Sequence, residues 1–461
     1  MPDRGGADEA RREPHRPALV AAAALVGAAL QRNNGHYEPA ALQLLVAALV
    51  LAWLALLAPA ALARLVPDRA RTTAAMLALV LVGQLVVIAR APIGMYFARP
   101  MPAQHPGFLA GLTVAAIAGL AALADAWRVR ALAATVLVLT AVWLGLVTYA
   151  GSPEPRIDVV TVHDAAFAAL ARGDSPYSMT FGDLYEGREA FYPPGMVADG
   201  RVQYGFPYPP LSLLMAWPGH LAGDFRYAEL AALAVGAAGL MAAGGFTPVA
   251  VLATAVLLFT PRAFFALEQS WTEPLAIAWL GLAAWAAAGG VPTAAAAALG
   301  LAMATKQYLV LALPMLWLLG TGRADRVRLL TTAALAAIVA TLPALADPQG
   351  FFHSAVMVQV REELRLDALS LAVPIARAWG APLPGAAYAA LVAGAAGLAA
   401  WRAPATPAGA AAALAVTVFT AFAFGKKAFC NYYVLVLAAV AMAMAMPRRP
   451  ATPGRADVTP A

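Results

Sequence analysis

Charge is scarce in this chain: Asp, Glu, Lys and Arg together make up 12% of its 461 residues. A soluble domain carries about 25%, so the shortage excludes an ordinary water-soluble fold. Cysteine is scarcer still. Cys430 stands alone, which excludes an intrachain disulfide and a thiolate metal site. The histidines at 15, 36, 105, 163, 220 and 353 form no HExxH or HxxxH pair, so no metal site and no cofactor is expected. No glycine-rich loop follows a strand, which removes a nucleotide-binding domain from the expectations. Period-two alternation is missing, and with it a membrane β-barrel. No internal repeat is visible, although transporters usually carry one.

Apolar residues are abundant. They make up 62% of the chain, with a mean hydropathy of +0.71. Stretches such as "AALQLLVAALVLAWLALLAPAALA" (40–63) are long enough to cross a hydrocarbon core of about 30 Å as helices. The fold class expected is all-α, a polytopic transmembrane helical bundle of about 13–15 apolar segments. They are placed near 18–31, 40–63, 72–90, 108–126, 131–150, 207–222, 227–243, 247–260, 272–289, 293–305, 307–320, 328–345, 383–401, 407–424 and 430–446. Arg11, Arg12 and Arg16 followed by a short apolar run resemble a signal peptide, but the run reads as the first helix because so much membrane follows. The net charge of +6 lies at segment ends, where it orients a membrane protein, and does not point to nucleic acid.

Arginine placement gives the expected topology. The tail 1–17, the turns at 63–72 and 125–130, the "GRADRVR" turn (322–328), "WRAP" (401–404) and the tail 447–461 belong inside the cell. The long loop 151–206 and the loop near 346–368 belong outside. The organisation is then a cytoplasmic tail, N-terminal membrane helices (18–150), an outer loop of catalytic type (151–206), a membrane body (207–446) and a disordered C-terminal tail. Counts from the two ends disagree by one span between 206 and 265. Either 207–222 does not fully cross, or a boundary near "PRAFF" (261–265) is misplaced.

On that topology the polar residues near span ends gather on the outer side: Asp158, His163, Asp164, Glu268, Gln269, Glu273, Lys306, Gln307, Arg361, Lys426, Lys427 and Asn431. Charge at membrane depth is costly and is usually paired or functional. An outward-facing polar cavity is therefore expected. "RIDVVTVHDAAFAALARGDSPY" (156–177) reads as an amphipathic helix at the membrane surface, stopped by Gly173. Asp158 is either its N-cap or a carboxylate able to act as a general base at the water boundary. His163 and Asp164 are neighbours about 100° apart, so they cannot both face one ligand with Asp158. Lys306 is either a snorkelling interfacial lysine or an ammonium for an anionic leaving group. Arg361 and Arg365 read as a solvated helix face, Gln84 as an interhelical hydrogen-bonding group, and Tyr432 and Tyr433 as belt aromatics.

The order of motifs adds a resemblance. Asp158, Ala165, Ala169, Leu170, Gly173, Pro176 and Tyr177, followed by Phe206, Tyr208, Pro209, Pro210 and Leu211, resemble the outer-loop pattern of polyprenol-phosphate-sugar-dependent glycosyltransferases of the GT-C superfamily. The bacterial alpha-mannosyltransferase branch is nearest. "LEQSWTEPLAIAWLGLAAW" (267–285), with Glu268 where glycine is usual, "GLAMATKQYLVLALPML" (300–316) and "KKAFCNYYVLVL" (426–437) resemble later segments of that family. The resemblance spans roughly 150–445, and more helices precede the loop than the family has there. It implies a multi-pass plasma-membrane protein with an extracytoplasmic site and Asp158 as the general base. Its partners would be a polyprenyl-phosphate-linked sugar donor, mannose first among the sugars, a lipid or glycan acceptor, and membrane lipid, reacting by inverting displacement. The candidate donor- and acceptor-binding residues are His163, Asp164, Tyr177, Tyr208, Glu268, Gln269, Lys306, Lys426, Asn431 and Tyr432. The rival readings are a transporter or flippase of a lipid-linked or small-molecule substrate, and a glycan polymerase or ligase.

Overall fold

Proline punctuates this fold. Helices open with it at Pro39, Pro59, Pro210, Pro248, Pro292 and Pro407. At the first helical position its missing N–H removes a donor that would have no partner, and its fixed φ suits the helix. Thr247 and Thr406 add side-chain caps to the amides of Ala250 and Gly409. The computed structural model describes residues 13–97, 106–187 and 191–448. The predicted tails fall largely outside the described residues, including Arg11, Arg12 and 449–461.

The first part of the chain forms α1 (Arg16–Asn33), α2 (Pro39–Leu57), α3 (Pro59–Leu65), α4 (Ala70–Arg90), α5 (Pro106–Ala121) and α6 (Trp127–Gly151). The segment expected at 40–63 is broken at Ala58, where Pro59 removes an amide hydrogen bond. After α7 (Asp158–Ala171) and three two-residue strands come α8 (Pro210–Leu221), α9 (Arg226–Ala243), α10 (Pro248–Leu258) and α11 (Ala263–Glu268). Next are α12 (Glu273–Ala288), α13 (Pro292–Thr305), a 3₁₀ turn (Gln307–Ala312) running into α14 (Leu313–Leu319), and α15 (Arg323–Thr341). The last elements are α16 (Pro348–Phe351), a π-helical turn (Phe352–Met357), α17 (Val358–Arg361), α18 (Ala372–Trp379), α19 (Gly385–Arg402), α20 (Pro407–Ala423) and α21 (Cys430–Ala445).

Among the described residues five helices are long and apolar enough to cross a membrane, beginning at Pro39, Ala70, Trp127, Arg226 and Arg323, and shorter apolar helices run 10–17 residues. These apolar helices point to a membrane protein. α10, α20 and α21 are buried along nearly their whole length and form the centre. α15 buries only Leu329 and Ala333, and α19 only Val392 and Ala399, so these two lie at the edge.

The helices run between two ends. At one, Arg448 pairs with Asp68 and donates to Pro14 O (3.1 Å), Arg16 reaches Met446 O (3.1 Å), and Arg130 reaches Phe246 O (3.0 Å). This is the base. At the other, Arg226 donates to Ser152 O (2.8 Å), Tyr37 N to Asp367 O (2.7 Å), and Leu369 N to Ala428 O (2.9 Å). This is the head. The polar residues expected to cluster lie in or beside head segments. α8 bears on the span disagreement: Tyr208 before it and Arg226 after it both lie at the head, and Met215, midway along it, meets Trp279.

Residues 152–187 and 191–206 fold as a cap on the head. The strands β1 (Phe181–Gly182), β2 (Val197–Ala198) and β3 (Arg201–Val202) order as β1–β3–β2, both pairs antiparallel. The cap has its own core of Val162, Phe167, Tyr177, Phe181, Val202 and Phe206, closed from below by Ala355 and Val358. α7 ends as expected at Gly173 (φ 79°), with Asp174 N reaching Ala169 O (2.9 Å) and Gly173 N reaching Leu170 O (3.0 Å). The N-cap reading of Asp158 is corrected: the cap position is Ile157, and Asp158 is the first helical residue.

Under the cap α9 and α12 run in close backbone contact. A Cβ on Gly236 would meet Ile277 O at 2.6 Å, and one on Gly239 would meet Gly281 O at 2.6 Å. Small residues permit such an approach between apolar helices. Gly236→Leu should therefore destabilise the protein by about 1–3 kcal/mol through overpacking. Gly394→Leu, where an added Cβ meets nothing within 4 Å, should be neutral or stabilising. Thermal unfolding in detergent separates the two.

Candidate functional site

The site forms where the cap exit, the 306 turn, the 359–367 loop and the 425–432 turn meet. Each of these spans or borders a break between helices, so backbone and polar side chains can face a shared space.

The lowest layer is an ion pair. Glu273 opens α12 and Lys306 follows α13; Nζ lies 3.1 Å from Glu273 Oε1, and both residues are buried at 4% exposure or less. Tyr308 donates to the same oxygen (2.7 Å). Lys306 Nζ also sits 4.3 Å from the ring centroid of Tyr208, a cation–π contact that fixes the cap exit above it. Both sequence readings of Lys306 are therefore corrected. It does not snorkel, and its ammonium is committed to Glu273 rather than free for an anion.

The second layer lies in the 425–432 turn. Lys427 pairs with Glu362 (2.6 Å). Burial works against its charge, but Glu362 outweighs burial and holds the ammonium above the usual lysine range. Lys426 donates to Val360 O (3.0 Å) and Glu362 O (2.6 Å). Arg365 is no solvated charge. It pairs with Asp367 (2.6 Å), and its guanidinium lies 4.0 Å from Phe191 and 5.0 Å from Phe429. Arg361 is exposed, as expected.

Asp158 stands above these groups, half-buried at the start of α7. Burial raises its pKa above the usual carboxylate value, while Lys427 and Arg365 pull it down and Glu362 pushes it up. The hydroxyls of Tyr185, Tyr192, Tyr204 and Tyr208 all lie within range of its charge. A carboxylate with a raised pKa in an aromatic enclosure is a stronger base than one in water.

A groove of about 1110 Å³ opens beside Lys426, Lys427 and Glu362. Its walls are mostly apolar, from Leu364, Leu366, Leu383 and Phe422, with Tyr308, Tyr388 and Tyr432 among them. Tyr432 is thus a groove wall, packed on Phe422 (4.9 Å) and Tyr308 (5.8 Å), rather than a belt residue. Tyr433 is fully buried and donates to Leu369 O, so the belt reading fails there too.

The other expected residues lie outside this space. His163 is fully buried, stacked on Phe225 (4.5 Å), with Nδ1 2.7 Å from Val159 O. Burial pushes its pKa down to about 4, so it is a neutral member of the aromatic core. Asp164 is exposed and faces His220, Asp224 and Arg226, away from Asp158. Tyr177 is a cap core residue whose hydroxyl donates to Tyr208 O (3.2 Å). Glu268 is buried and accepts from the amides of Met95 (2.6 Å) and Tyr96 (2.7 Å), with Gln269 Nε2 at 3.2 Å. These two hold the loop after α4 and are not open to a ligand. Asn431 is buried and borders a small internal cavity of about 20 Å³ shared with Glu273 and Trp271. Gln84 has no hydrogen-bond partner among the described residues, so the interhelical bond expected for it does not form there. No cluster of three metal-ligating side chains occurs among the described residues.

Glu362 and the cap tyrosines Tyr185, Tyr192 and Tyr204 escaped the sequence reading, and Arg365 was misread as solvated. The signal for the tyrosines was present, because aromatics crowd 177–208 far beyond the chain average of 9%. No family model matches the chain, and no curated protein matches it either.

Breaking the Lys306–Glu273 pair should be costly, since one buried charge is left alone. Glu273→Gln is expected to destabilise by about 3–5 kcal/mol, and Glu273→Leu with Lys306→Met to recover most of it. Equilibrium unfolding in detergent measures both.

Proposed function

We propose that the protein is an integral membrane glycosyltransferase of the GT-C type. It would move a sugar, mannose first, from a polyprenyl-phosphate donor to a lipid or glycan acceptor. On this reading the head faces the extracytoplasmic side, and fourteen helical segments cross the membrane, α3, α7, α8, α11 and α16–α18 being excluded (about 20 residues span a ~30 Å core, fewer where it thins). The observation that carries the proposal is a half-buried carboxylate, Asp158, within electrostatic range of Lys427, which with Lys426 lines a mostly apolar groove. A polyprenyl chain suits such walls, and a phosphate suits those cations. Because Lys306 is occupied by Glu273, the phosphate role passes to Lys427 and Lys426, with Glu362 as the anion to be displaced.

The step balances simply. Asp158 takes the proton of an acceptor hydroxyl as its oxygen bonds the anomeric carbon. The bond from that carbon to the phosphate oxygen breaks, and polyprenyl phosphate leaves with the electron pair, its charge met by Lys427 and Lys426.

Membranes given a synthetic polyprenyl-phospho-sugar should glycosylate an acceptor lipid. Equal activity with nucleotide sugar after removal of polyprenyl phosphate would end the proposal. Asp158→Asn should lower turnover by about 10²–10⁴-fold with expression unchanged. Asp158 works deprotonated, so activity should climb as pH rises through its titration. Lys427→Met removes a charge that holds that pKa down, and should move the acid limb to higher pH. Glu362→Gln removes one that holds it up, and should move the limb to lower pH.

Orientation has its own test. In a Cys430→Ser background, a cysteine at exposed Gly182 in the cap should react with an impermeant maleimide in intact cells, and one at exposed Arg323 at the base should not. The reverse pattern would turn the site to the cytoplasm.

A further inference from the structure

A second cluster of charge lies beneath the cap, and the reaction above makes no use of it. Glu229, in the first turn of α9, is fully buried, and neither carboxylate oxygen has a hydrogen-bond partner among the described residues. An ionised carboxylate in that position would carry a desolvation cost far beyond that of keeping a proton.

The surroundings do not supply a counter-charge. Arg226, one turn before it, is saturated: it pairs with Asp224 (2.6 Å) and donates to Ser152 O (2.8 Å) and Pro153 O (3.2 Å). Lys306 is held by Glu273 at 3.1 Å. The next cation near Lys306, Lys427, is held by Glu362. α6 contributes Tyr149, whose ring lies 4.8 Å from the Arg226 guanidinium and whose hydroxyl is itself buried without a partner among the described residues. α8 contributes His220, exposed at the head surface, and α11 contributes Glu268, already bound by two amides. α10 and α21 carry no charged side chain. The groups that act on Glu229 are thus two cations, Arg226 and Lys306, and two other carboxylates, Asp224 and Glu273. With Glu229 ionised the nest holds one negative charge in excess; with Glu229 protonated it is balanced.

We propose that Glu229 is a proton-binding site, a carboxylic acid that keeps its proton at neutral pH and thereby leaves Lys306 committed to Glu273 under the cap. This does not depend on the transferase reading. The unfolded chain has released that proton above about pH 4.3, so folding takes one up. Stability from this group is complete below that value and is lost as pH rises.

The test uses the full chain in detergent. Infrared spectra at neutral pH should show a carboxylic acid C=O band that shifts in heavy water, shifts again in protein grown on glutamate isotope-labelled at the side-chain carboxyl, and disappears in Glu229→Gln. The unfolding constant of the wild type should rise with pH by up to about tenfold per unit relative to Glu229→Gln, which cannot release the proton. Replacing sodium by choline should change neither result. A band that ignores the glutamate label overturns the proposal even if the variant does not fold, and so does a pH slope unchanged by Glu229→Gln. Sodium-dependent stabilisation that the variant abolishes overturns it too, because a monovalent cation would then be balancing the nest.

Discussion

The Lys306–Glu273 ion pair joins the bundle to its cap. Glu273 is fixed by the start of α12, Lys306 by the end of α13, and Tyr308 by the 3₁₀ turn that follows. The ammonium reaches up to the ring of Tyr208, the last aromatic before α8. A buried pair of this kind adds little net stability, because desolvation consumes most of the attraction. Its value is geometric. A charge that has one acceptable partner in a low-dielectric interior permits few arrangements of the four segments that carry it.

That constraint propagates upward. With Tyr208 fixed, Phe206 and Tyr177 close the cap core, and Ser354 ties the cap to the body by accepting from Gly205 N (2.8 Å) and donating to Tyr177 O (2.7 Å). Ser354 lies in the π-helical turn, where the wider winding carries a side chain off the regular helical face. The same turn leads into Val360 and Glu362, which hold Lys426 and Lys427. Bundle, cap and cation turn are therefore set by one chain of contacts, and Asp158 takes its position from the cap.

Much of the bundle was legible in the sequence because apolar length and proline position are local signals. The expected apolar segments fall on helical elements, but 40–63 divides into two helices at Ala58, where Pro59 starts the second, and 307–320 opens with a 3₁₀ turn. Gly173 as a stop and the gathering of polar residues at one end were also readable, the first from φ preference and the second from the cost of burying charge. Pairing was not readable. Glu273 and Lys306 are 33 positions apart in sequence, Glu362 and Lys427 65 apart, and nothing local says which carboxylate meets which ammonium. Hence Lys306 looked free, Glu268 looked like a ligand-binding residue, and Arg365 looked solvated. The cap core was opaque for a similar reason, since its strands are two residues long and carry no periodicity.

The division of charge at the head has a further consequence. Lower in the bundle, Lys306 and Arg226 are locked to carboxylates and carbonyls in surroundings nearly closed to water. Nearer the groove, Lys426 is bound only through carbonyls, and Lys427 by a single carboxylate on a loop. On the proposed reading, an incoming anion would replace Glu362 at Lys427 at lower cost, because Lys427 and Glu362 both line the groove. It cannot replace Glu273 at Lys306 without leaving a carboxylate stranded beside Glu229, where no spare cation waits. Electrostatic cost thus separates two lysine sites that the sequence alone presents as equivalent. On the proposed reading, that cost favours exchangeable chemistry at the upper one and the holding of the cap at the lower.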